Sequence, residues 1–87
     1  MYNYENQKKN IFTEKGQEKF IKVRDKAKSL LSAAGCFRMD AVISVACGDV
    51  WDLLACVDRM VEMGEIREVT NRNETAAQHR IFTSARS

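Results

Sequence analysis

Residues 49–70 read DVWDLLACVDRMVEMGEIREVT, and the change of period inside this stretch decides the fold. Val50, Leu53, Leu54, Val57, Met60 and Val61 recur at three- and four-residue steps, the spacing that lines one face of an α-helix. Asp49 is placed to cap that helix, because a short carboxylate there accepts from the unpaired N–H groups of the first turn. Gly64 is placed to end it, since glycine readily takes the left-handed conformation of a helix stop. Beyond Gly64 the helical period is gone. Ile66 and Val69 punctuate charged residues as in a half-buried strand, and the turn-rich run 71–75 leads to a second extended segment, Gln78 to Thr83, completing a hairpin.

Upstream, Met39, Val42, Ile43 and Ala46 predict a brief helix ending at Cys47-Gly48, which joins helix 49–63 in a helix-turn-helix unit. Cys36 to Arg38 reads as a short connection of extended character. Before it, Phe20, Val23, Ala27, Leu30, Leu31 and Ala34 mark one face of a long helix over 13–34, with Thr13 as N-cap, Glu14 in the first turn and Gly35 as the stop. Residues 1–12 lack apolar periodicity and are rich in Asn, Gln and Lys, so they are expected to form a flexible tail. Residues 13–83 make one domain, and 84–87 are expected to fray. The fold class is mainly α with a small antiparallel β hairpin, α+β, built of three helices and a wing. Its core is expected to include Leu30, Leu53, Val57 and Ile66.

Eighty-seven residues, 45% hydrophobic and 30% charged, suffice for one modest core. No apolar run approaches the ~20 residues that cross a bilayer. The polar start of the chain carries no stretch of signal-peptide type, and the odd set Cys36, Cys47 and Cys56 does not suggest a disulfide framework, so a cytoplasmic location is expected. Zinc would have to gather these cysteines and His79 across irregular gaps, whereas structural sites take ligands as close pairs. No cofactor is expected. Neither a Ser/His/Asp set nor a Gly-rich phosphate loop is present, which argues against an enzyme or a small-molecule substrate.

The net charge of +2 is unevenly spread. The first helix holds Lys15, Lys19, Lys22, Arg24, Lys26 and Lys28 against Glu14, Glu18 and Asp25, whereas 49–66 hold Asp49, Asp52, Asp58, Glu62 and Glu65 against Arg59 alone. Basic segments therefore flank an acidic helix.

The order of helix, helix-turn-helix and hairpin resembles the winged-helix superfamily, most closely from Leu53 to Val69, where an amphipathic helix passes through Met63-Gly64-Glu65-Ile66-Arg67 into a strand. The resemblance spans about residues 13–83 and implies a DNA-binding domain, a transcriptional regulator, whose third helix enters the major groove while the wing touches the backbone. Here that helix would present Trp51, Asp52, Ala55, Asp58, Arg59 and Glu62. Phosphates repel such acids, since affinity for DNA draws on Lys and Arg. The expected contacts to duplex DNA move to the wing, through Arg67, Arg72, Asn73 and Arg80, and to the stripe Lys15, Lys19, Lys22 and Lys26. A solvated helix face and an Asn-tolerant turn would look the same.

The other reading is a protein-interaction module, an adaptor or homodimer, that uses Trp51, Asp52, Ala55, Arg59 and Glu62. An aromatic beside a small residue and rimmed by charge suits an interface hot spot. Trp51 would serve equally as a residue covered by Tyr2, Tyr4 or Phe12 of the N-terminal segment.

Overall fold

The computed structural model describes residues 2–43, 49–71 and 76–85. Along them run helix α1 (Tyr4–Gln7), a 3-10 turn (Lys8–Phe12), helix α2 (Glu14–Ala34), strand β1 (Cys36–Arg38), helix α3 (Met39–Ile43), helix α4 (Val50–Glu62), strand β2 (Ile66–Glu68), a second 3-10 turn (Ala77–His79) and strand β3 (Ile81–Ser84). The architecture is mainly helical with one small antiparallel sheet, as expected. Ala46, Cys47 and Gly48, and with them the turn of the helix-turn-helix unit, lie outside the described residues, as do Arg72 and Asn73.

The local signals at helix ends are realised. Thr13 Oγ1 accepts from the Gly16 N–H, Asp49 accepts from the Trp51 N–H, and Gly35 and Gly64 hold φ of 79° and 78°. Phe20, Val23 and Ala27 of α2 meet Leu53, Leu54, Val57 and Met60 of α4 in one core, closed by Phe37, Met39, Val42, Ile66 and Phe82. Leu53, Val57 and Ile66 are buried as expected, whereas Leu30 is only half-buried at the core's margin.

The hairpin is really a three-stranded sheet of order β1-β3-β2. Phe37 pairs with Phe82 across the β1–β3 ladder, and their rings stack with centroids 5.3 Å apart. That contact recruits Cys36–Arg38 as a strand, although three residues are too few to show a period of two. On the other side Ile66 pairs with Ser84 and Arg67 with Thr83. Ser84 therefore belongs to the sheet and not to a frayed end, and the extended segment begins at Ile81, not at Gln78. Val69 is 57% exposed. It stands three residues from Ile66, and an odd step puts two strand residues on opposite faces. Val50 is likewise exposed, in the first turn of α4.

The largest departure concerns residues 2–12, expected as a loose tail. They form α1 and the first 3-10 turn and pack across α4 as a strap. Their helices are too short for periodicity to show, yet Ile11 is 2% exposed and belongs to the core. Gly16 makes that seat possible: a Cβ there would fall on the Asn10 carbonyl oxygen and 2.8 Å from Ile11 Cα. The Gln17 side-chain amide also donates to the Ile11 carbonyl.

Candidate nucleic-acid interface

The charge of α4 is largely consumed inside the molecule. Asp49 caps the helix. Lys19 Nζ lies 3.1 Å from Asp52 Oδ2, which ties the lysine side of α2 to α4. Asp58, expected on the solvent face, is 2% exposed and meets Arg80 Nη2 at 2.7 Å. The Tyr2 hydroxyl donates to its other oxygen at 2.6 Å. Glu62 receives Lys8 at 2.8 Å and the Tyr4 hydroxyl at 3.0 Å, and Arg59 also donates to it. Lys8, Arg59 and the Tyr4 hydroxyl hold its carboxyl well below the usual range, at about 2. The reciprocal effect acts on Tyr4, whose phenol is pushed up to about 12 by burial and by the Glu62 carboxylate.

Arg80 was an expected DNA contact. Instead it is 3% exposed. Its Nε and Nη2 grip the two oxygens of Glu68 at 3.0 and 2.8 Å, while Nη2 also reaches Asp58. Burial alone would lower the guanidinium pKa, but the hydrogen bonds and charges of Glu68 and Asp58 raise it above the usual value. A planar fork of donors suits this two-oxygen grip. The arrangement fastens the root of the wing to α4 and removes Arg80 from any ligand. The alternation of β3 carries the signal for this placement: Phe82 faces the core, so Arg80, two residues earlier, faces the same way.

The Trp51 face is altered too. Ala55 is fully buried and Asp52 is engaged by Lys19. The Arg59 guanidinium sits 5.3 Å from the Phe12 ring centroid besides pairing with Glu62. Trp51 itself remains 41% exposed, with Tyr2 set edge-on at 6.5 Å. The strap is thus the inner partner of the face that sequence offered for an outer one.

Of the expected DNA contacts, Lys15, Lys22 and Arg67 are left at the surface, with Lys26 half-buried. No ion pair among the described residues engages these four. Lys15, Lys22 and Lys26 stand with Lys19 along one flank of α2, and Lys19 fixes that flank beside α4. Arg67 stands on the outer face of β2, opposite to Ile66 and Glu68.

Concavities are small or open. A groove of about 190 Å³ where the strap meets α2 and α4 is lined by Ile11, Lys15, Lys19, Asp52 and Cys56, below the ~300 Å³ of ordinary small-molecule sites. Burial pushes the Cys56 thiol up to about 11, so it stays protonated and unreactive at neutral pH. A wider open groove of about 590 Å³ lies between α2 and the α4–β2 turn, where Arg24 and Lys28 both face Glu65. No described helix is long and apolar enough to cross a membrane.

Comparison of the chain with protein families, with curated proteins and with solved structures returns no match.

Proposed function

We propose that this chain is a winged-helix domain that holds duplex DNA by its phosphate backbone, and that it does so without inserting α4 into the major groove. The order helix, strand, two helices, strand, strand supports the fold reading, together with the β1-β3-β2 sheet. One observation carries the functional reading. Every acidic side chain of α4 and its cap is occupied within the molecule, while among the described residues the lysines along α2 carry no ion pair apart from Lys19 and Lys28. The repulsion that an acidic helix would exert on phosphate is therefore muted, and Lys15, Lys22 and Lys26 are left along one flank of α2 to meet phosphate, with Glu14, Glu18 and Asp25 exposed elsewhere on the same helix.

Contacts of this kind release counterions and are indifferent to sequence. A mobility-shift titration over a range of salt tests the reading. Replacing Lys22 and Lys26 with alanine should lower the slope of log K against log salt by about one for each lysine that meets a phosphate, equally on unrelated duplexes. Absence of binding at low salt, or binding indifferent to both lysines, would overturn it.

A second reading rests on Trp51, which with Val50 leaves an apolar spot at the start of α4, 41% and 42% exposed. It makes this end of the helix a protein contact, for an adaptor partner or a second copy. Sedimentation of Trp51→Ala beside the parent chain tests the homodimer form: an unchanged mass would remove it.

A further inference from the structure

The strap has two faces. Tyr4, Lys8 and Ile11 follow one another at steps of four and three and turn toward α4, through Glu62 and the core. Asn6, Lys9 and Asn10, spaced i, i+3 and i+4 as on one side of a helix, are exposed. Asn3 and Glu5 share the exposed side, so Glu5 is its one acid. The Asn10 amide donates to Gln7 at 3.1 Å, and the Asn10 carbonyl accepts from Thr13 at 2.9 Å, which fixes the end of the strap where it meets α2. Lys15, the first of the α2 lysines, follows directly.

Beside Asp58 and Glu62, whatever approaches α4 from outside meets this layer first. We infer that the outer face of the strap, through Asn6, Lys9 and Asn10 and continued by Lys15, is the surface that contacts DNA in place of the third helix; the inference rests on the DNA-binding reading above. The residue types fit a duplex. Lysine pairs with a phosphate, and an asparagine amide donates to a phosphate oxygen. Rigidity fits as well, because the Gly16 approach and buried Ile11 hold the strap in one place.

The opposite role, a strap that blocks DNA binding until it is released, conflicts with the charges. Taking the strap off would bare Glu62 and one side of Asp58 and remove Lys8 and Lys9 against Glu5 alone, leaving a more negative surface. The two roles predict opposite signs for the same variant. Gly16→Ala evicts the strap by a methyl group that has no room, while α4 is untouched.

The experiment titrates a labelled duplex with the full chain, its Asn6→Ala/Lys9→Ala variant, its Gly16→Ala variant and its Lys22→Ala/Lys26→Ala variant, each at several salt concentrations. Both strap variants are expected to bind more weakly than the parent, and loss of Lys9 should lower the salt slope by about one. A strap double variant that binds as the parent does, while the α2 variant is impaired, overturns this inference and leaves the DNA reading standing. Tighter binding by Gly16→Ala overturns it in favour of a blocking strap. A parent chain that binds no duplex at low salt removes both. Should Gly16→Ala fail to fold, the Asn6 and Lys9 pair still decides, since both side chains are exposed.

Discussion

The wing root and the strap both attach to α4 through its acids, and Asp58 serves both, yet they are built on different physics. At the wing root a guanidinium is sealed among two carboxylates, with side chains 4%, 1% and 11% exposed. At the strap the ion pair between Lys8 and Glu62 is about one-third exposed at each partner. Exposed pairs of this kind contribute ~0–1 kcal/mol, whereas removing one partner of a buried pair leaves a stranded charge. The strap must therefore owe most of its hold to Ile11, whose burial is worth ~1.5–3 kcal/mol. Its tyrosines and lysine set where it lies.

The sharpest break of this comparison is Arg80→Ala. It strands Asp58 and Glu68 and should destabilise the domain by ~3–5 kcal/mol, a fall in Tm of roughly 12–40 °C for a chain of this size. A thermal melt within a few degrees of the parent would show that the wing root is wet and weak. Next comes Ile11→Ala. Deleting a buried isoleucine should cost ~2–5 kcal/mol, and the lower end is expected because a strap held otherwise by exposed polar contacts can relax around the gap. Trp51 should become more accessible to quencher as Tyr2 leaves it, and an unaltered Trp51 would mean that the polar contacts alone hold the strap.

The smallest effect is that of acid on Glu62. Its folded pKa is depressed, so the stabilisation it gives is present in full above about 4.5 and is lost as pH falls through about 2. Quencher access to Trp51 should rise across that window in the parent, and the rise should be absent in Glu62→Gln. An identical acid transition in both proteins would remove Glu62 from the account.

The helices, their caps and their stops were legible because each is encoded within a few residues: Thr13 and Gly35, Asp49 and Gly64. The outer side of α4 was not. A hydrophobic stripe shows one buried face of a helix, and it is silent when a second layer covers the other. Ala55 and Asp58 look solvent-facing by register, yet Ala55 is fully buried and Asp58 is enclosed by Tyr2 on one side and Arg80 on the other. Tyr2, Tyr4, Ile11 and Phe12 were the available clue, four large side chains in a stretch otherwise polar. Arg80 carries two opposed signals: its charge points to the surface, while its parity with Phe82 points to the core, and the partners that resolve them, Asp58 and Glu68, lie 22 and 12 residues away. Among the described residues the expected DNA-contact set keeps Lys15, Lys22, Lys26 and Arg67 out of any ion pair, loses Arg80 to the core, and has Lys19 tied to Asp52.

The β1-β3-β2 order has a consequence for how the chain assembles. The central strand of the sheet is the last of the described elements to be synthesised, and Arg80 precedes it by one residue. Until that point emerges, β1 and β2 have no partner between them, and Asp58 and Glu68 await their cation in water. A nascent chain stopped before residue 80 therefore holds its helices without a sheet to close them. Completion comes as a single late event in which strand pairing and charge neutralisation arrive together, the slow, non-local kind of step that separates a collapsed chain from a finished one.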